Sequence, residues 1–69
     1  MELIDAGKCL RLAQLQKNVS SAKLSRIIKT SKQQVLRWRR SKNMKLHTLQ
    51  LLALSLDLSV SEFIEFNKN

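Results

Sequence analysis

The chain has 69 residues, 43% of them hydrophobic, with one Gly and no Pro, and its 13 Lys and Arg outweigh 5 Asp and Glu to give a net charge of +8. A chain this short buries only about 60% of the surface it exposes when unfolded, which excludes an elaborate active-site cleft and predicts a single small helical domain over residues 1–69. The charge balance is a standing attraction for nucleic acid, an anionic membrane or an acidic protein.

From Leu3 to Lys17, apolar residues at 3, 6, 10 and 13, with others at 4, 9, 12 and 15, predict a first helix with a wide interior face. Gly7 weakens that helix by about 0.5–1 kcal/mol relative to Ala. Cys9, the single cysteine, is read as a small packing residue. It cannot form an internal disulfide, and the sequence has neither a secretory h-region nor a run long enough to span a bilayer. A cytoplasmic location, nucleoid-associated in a bacterial host, is expected. Asn18 tolerates the left-handed conformation that closes a helix.

Ser20 is a suitable N-cap for a second helix whose Leu24, Ile27 and Ile28 form an inward stripe. Ser31 then caps a third helix, and Gln34 three residues later has capping-box spacing. In that helix Val35 and Trp38 face inward, while Lys32, Gln33, Leu36, Arg37 and Arg40 share the opposite face. Two short helices meeting at Thr30-Ser31 make a helix-turn-helix. Arg and Lys donate to guanine O6 and N7, Gln pairs with adenine N6 and N7, and an aliphatic tip packs on the thymine methyl. The outer face therefore points to double-stranded DNA. Basic residues concentrate between Lys23 and Lys45, whereas Glu2, Asp5, Glu62 and Glu65 lie near the ends.

Ser41 to Lys45 reads as a loop whose lysines reach phosphate. It leads into a fourth helix near Leu46 that is apolar on most sides, expected to be the main core donor with one face left over. Asp57-Leu58 is a helix exit, and Ser59 with Glu62 forms a second capping box opening a last helix. Phe63 is expected to close the core. Ile64 and Phe66 either pack inward or form a dimer contact. His47 has no second ligand at metal spacing, no Ser or Cys has a His base at a recognisable offset, and the carboxylates are scattered. No catalytic role, metal, cofactor or small-molecule ligand is expected.

The ordered set Leu10-Arg11, Asn18-Val19-Ser20, Leu24-Ser25, Thr30-Ser31, Val35, Trp38, Leu46, Thr48-Leu49, Ala53, Leu56-Asp57-Leu58-Ser59 and Glu62-Phe63-Ile64 resembles the Cro and lambda-repressor family of helix-turn-helix DNA-binding domains. The resemblance implies an all-α, lambda-repressor-like bundle of about five short helices, a transcriptional role as a Cro-like repressor, and binding as a homodimer to an inverted-repeat operator. Stand-alone modules of that family are common in phages and mobile elements. The chain departs from the pattern where the family has Gly, with Lys29 in the turn, Ser41 after the recognition helix and Asp57 before the last helix. Lys29 is expected to strain or reshape the turn. Arg39 stands where an acidic residue usually pairs with the Arg of the first helix, leaving Arg11 without that partner. Ser21 stands where the family often has a phosphate-binding Gln.

Lys32, Gln33 and Arg37, with Leu36 as a methyl contact, are the expected base-reading residues. Ser21, Ser31, Arg40, Lys42 and Lys45 are assigned to phosphates, which fix register without reading sequence. A rival reading is a protein-interaction module, an antitoxin or an inhibitor of another regulator, using Leu36, Phe66 and the Leu-rich fourth helix. Non-specific coating of nucleic acid is a third, although one Trp and no Tyr supply no stacking platform for single strands.

Overall fold

The computed structural model describes residues 3–69, so Met1 and Glu2 lie outside the described residues. Five α-helices follow one another: α1 (Ala6–Lys17), α2 (Ser21–Ile27), α3 (Lys32–Arg40), α4 (Leu46–Ser55) and α5 (Val60–Glu65), ending in a 3-10 turn at Phe66–Lys68. The fold is all-α, with no strand among the described residues. No helix is long and apolar enough to cross a membrane among those residues.

Each helix contributes one large side chain with 0% exposure to a common centre: Leu10, Leu24, Val35, Leu52 and Phe63. Cys9, Ala13, Ala53 and Leu56 fill the space between them. Burial, with the Asp5 carboxylate adding to it, pushes the Cys9 thiol up, and its Sγ lies 3.9 Å from the Ile64 carbonyl oxygen, consistent with the packing role. The last helix closes the core through Phe63, and Ile64 and Phe66 are half-buried against the same cluster.

Several helix boundaries and faces differ from the sequence-based expectation. The first helix starts at Ala6 rather than Leu3, because the Asp5 side chain caps it by accepting from the Lys8 amide at 3.0 Å. Leu3, Ile4 and Leu15 are exposed, so the interior face of α1 is narrower than its apolar count suggested. Ile27 is 47% exposed, and the inward place beside Leu24 is taken by Ser25, whose hydroxyl is satisfied by the Ala22 carbonyl at 2.7 Å. α4 is not the main core donor. It buries only Leu52 and Ala53, whereas α1 buries Ala6, Cys9, Leu10 and Ala13.

Three of the four junctions close in the same way. Asn18, Lys29 and Asp57 each take a positive φ, at 56°, 58° and 59°. The residue after each donates back to a carbonyl five positions earlier: Val19 to Gln14, Thr30 to Ser25, and Leu58 to Ala53, at 3.0, 2.9 and 2.8 Å. This is the Schellman arrangement, which satisfies orphan carbonyls at a helix end. Lys29 is thus held left-handed in the same turn as the other two. The fourth junction has no left-handed residue, since Ser41 is extended at φ −89° and ψ 130°.

The Ser59 hydroxyl accepts from the Glu62 amide at 3.1 Å and the Glu62 carboxylate accepts from the Ser59 amide at 2.9 Å, completing the predicted box. The Ser59 amide, with its hydroxyl, holds the Glu62 carboxyl below the usual carboxylate range. A lowered folded-state value stabilises above the unfolded value, and that contribution is lost as pH falls through the folded one. Glu62→Ala should therefore lower the unfolding midpoint at pH 7, with the two proteins converging as pH drops below the ordinary glutamate range. In urea titrations, Leu10→Ala should lose about 2–5 kcal/mol. Leu15→Ala, on the solvent side of the same helix, should stay within about 0.5 kcal/mol of wild type.

Candidate nucleic-acid interface

The third helix is capped by Ser31, whose hydroxyl accepts from the Gln34 amide at 3.1 Å. The reciprocal half of the predicted box is replaced, because the Gln34 Oε1 accepts from Arg37 at 3.1 Å. Val35 is buried and Trp38 is packed against the core, which turns Lys32, Gln33, Leu36, Arg37 and Arg40 outward, all exposed. No acidic side chain pairs with any of these cations among the described residues, where the one ion pair is Lys68 with Glu65. Their positive potential is therefore uncompensated.

The residues expected at phosphates flank this face. Ser31 is exposed at the start of α3, Arg40 at its end, and Lys42 and Lys45 along the loop into α4. Ser21 is half-buried, and its Oγ receives a contact from Gln14 Nε2 at 3.4 Å, leaving its own proton available for an outside acceptor.

A groove of about 710 Å³ runs between α1, the start of α2 and α3. Arg11, Ser21, Lys32, Leu36 and Arg39 line it. It therefore adjoins the outward face of α3 and brings two further cations to it. Arg11 and Arg39 were absent from the expected site because the sequence showed only a broken ion pair. The replacement is made through Gln14. Arg39 donates to Gln14 Oε1 at 2.6 Å, while Gln14 Nε2 donates to the Val19 carbonyl at 3.1 Å. Arg11 donates to the Arg39 carbonyl oxygen. A polar residue one turn after Arg11 was the available signal.

The end of α3 is held by the start of α1. The Gly7 amide donates to the Ser41 carbonyl at 2.8 Å and the Ala6 amide to the Lys42 carbonyl at 3.1 Å. Donors left free in the first turn of one helix thereby meet acceptors at the end of another. Such an approach leaves no room for a side chain, since a Cβ on Gly7 would lie 2.5 Å from the Arg39 carbonyl oxygen and 2.6 Å from that of Ser41. Gly7 is thus a packing requirement as well as a weak point in helix propensity.

Helix propensity alone favours Gly7→Ala by about 1 kcal/mol. The backbone collision reverses that sign, and the variant should lose about 1–3 kcal/mol in thermal or urea unfolding, the usual range for overpacking. A more stable Gly7→Ala protein would show that the two helix ends separate without penalty.

No curated protein and no solved structure matches the chain. The family model of the Cro/C1-type HTH DNA-binding domain matches residues 11–69, from the Arg that holds the end of α3 to the last residue of the sequence. With the helix-turn-helix at α2 and α3 and a basic, uncompensated face on α3, the chain belongs to the Cro/C1-type helix-turn-helix DNA-binding domain family.

Proposed function

We propose that the protein is a sequence-specific transcriptional repressor that binds an inverted-repeat operator as a homodimer, with α3 of each copy in a major groove. The observation that carries this reading is the outward face of α3, where Lys32, Gln33, Leu36, Arg37 and Arg40 are all exposed while Val35 and Trp38 anchor the helix from behind. In this reading Lys32, Gln33 and Arg37 contact base edges and Leu36 meets a thymine methyl. Ser21, Ser31, Arg40, Lys42 and Lys45 contact phosphates and set the register. The whole chain acts as one domain, and occupancy of a promoter suffices for repression. Two-fold symmetry of the protein dictates half-sites about one helical turn apart.

Selection of bound duplexes from a random pool at about 150 mM salt, near physiological ionic strength, tests this directly. Enrichment of an inverted repeat with half-site centres about 10 base pairs apart is the expected result. A folded protein that enriches nothing would overturn sequence-specific binding and favour the protein-interaction alternative. On the selected site, affinity should fall about 10³–10⁵-fold between 50 and 200 mM salt if each copy neutralises several phosphates. Arg37→Ala should relax base preference, whereas Lys42→Ala should weaken all sequences alike and flatten the logarithmic salt slope by about one unit. Equal losses on specific and random duplex for both variants would refute the division of roles.

A further inference from the structure

We infer that Arg11, Arg39 and Arg40 form a binding site for one phosphate group at the end of α3, with Arg11 and Arg39 as its central donors. The inference rests on the DNA-binding reading only for the source of that phosphate. Two cavities meet at this place. The groove between α1, α2 and α3 and a smaller cavity of about 260 Å³ share Arg11, Leu36 and Arg39 as lining residues. Arg40 completes the smaller one, and no acidic residue lines either. Three guanidinium groups from two helices therefore line one small space, which holds a phosphate group and several waters at about 30 Å³ for each water.

Like charges do not gather by attraction to one another, and here uncharged partners hold them together. Arg11 donates to the Arg39 carbonyl oxygen, and Arg39 donates to the Gln14 amide oxygen at 2.6 Å. Gln14 is buried and its Nε2 donates to the Val19 carbonyl at 3.1 Å, so the group that positions Arg39 is itself fixed. A guanidinium carries several N–H donors in a planar fork. These bonds use one nitrogen of Arg11 and one of Arg39, which leaves the remaining donors of each for an outside acceptor. Repulsion among the cations is thus a standing cost imposed by carbonyl and amide contacts, and a bound anion removes it. Leu36, with Leu12 further along the groove, gives the space an apolar wall that concentrates the field of the cations.

The donors select the anion. A halide offers one atom and a carboxylate offers oxygens in a single plane, whereas phosphate oxygens point in tetrahedral directions and accept from several guanidinium forks together. Lys32 lines the same groove, so the site adjoins the outward face of α3. With α3 in a major groove, the strand bordering that groove supplies the phosphate, and the contact fixes the register of the helix without reading a base. Free inorganic phosphate has the same chemistry and is the other source.

Thermal unfolding of the full chain in sodium phosphate, against sodium chloride at equal ionic strength and pH, tests the site without DNA. The wild-type midpoint should rise saturably, by about 5 °C or more once phosphate is about tenfold above its dissociation constant. Arg39→Gln and Arg11→Gln should lose this saturable rise whatever their own starting midpoints. Arg26→Gln, which removes an exposed arginine of α2 outside both cavities, should keep it. General stabilisation by excluded phosphate does not saturate and is common to all four proteins. A wild type with no saturable rise, or the same rise in both groove variants, would overturn the site. If Arg11→Gln does not fold, Arg39→Gln alone decides. The source is read from binding to a labelled random-sequence duplex between about 50 and 200 mM salt. A logarithmic salt slope flattened by about one unit in Arg39→Gln assigns the site to the DNA backbone. An unchanged slope, with the phosphate response lost, upholds the site and assigns it to free phosphate. A wild type that binds no duplex would refute the DNA-binding reading while the melting series still decides the site, so the two failures are separable.

Discussion

Where a helix begins, its first amide groups lack partners, and where another ends, its last carbonyls lack them too. In this protein the free amides at the start of α1 are met by carbonyls at and just past the end of α3. Ala6 and Gly7 donate to the carbonyls of Lys42 and Ser41, and Arg11 one turn further along α1 donates to the carbonyl of Arg39. The end of α3 is therefore fixed against the start of α1 by two backbone–backbone hydrogen bonds, which have no rotamers, and by the Arg11 side chain. Gln14, buried and bonded at both ends of its amide, extends the attachment to Arg39 and to the entry of α2. Which residues of α3 look outward follows from this attachment together with the anchoring of Val35 and Trp38.

The same constraint explains how so basic a chain keeps its fold. A surface cation costs little while it is hydrated, and the five exposed residues of α3 remain in water. The one arginine drawn inward, Arg39, keeps its hydrogen bond through the neutral amide of Gln14. A carboxylate at that place would have cancelled part of the field beside the recognition face. A neutral acceptor orients the guanidinium and leaves its charge intact. The Gln14 amide thus orders Arg39 beside α3 without subtracting from the net charge that attracts polyanions at long range.

Local signals were readable where a single residue type has one dominant physical role. Ser20, Ser31 and Ser59 cap helices because a hydroxyl at that offset meets a free amide, and Val35 and Trp38 face inward because their three-residue spacing places them on one side of a helix. Asn18 and Asp57 turn left-handed for the same kind of reason. What the sequence concealed depends on residues far apart in the chain. Gly7 looks like a defect until the Arg39 and Ser41 carbonyls are brought beside it, and Arg11 looks unpartnered until its acceptor is found to be a backbone oxygen. Asp5 was hidden by the apolar pair before it, which extended the apparent helix past its true cap. Leu46 and Leu54 carry the same apolar signal as Leu52, and only the packing of α4 on α5 separates the exposed from the buried.

The three left-handed corners have a bearing on the unfolded chain. Glycine suits such corners in the folded state but has the most backbone freedom to lose on folding, whereas Asn, Lys and Asp reverse the balance. With its one Gly inside α1 and none at a corner, the denatured ensemble is stiffer than that of a chain with glycine at each turn. The native state carries some steric strain at Asn18, Lys29 and Asp57, and the denatured state has less conformational entropy to surrender. For a core with one large fully buried side chain from each helix, restricting the denatured ensemble is a second source of stability that none of the folded contacts reveals.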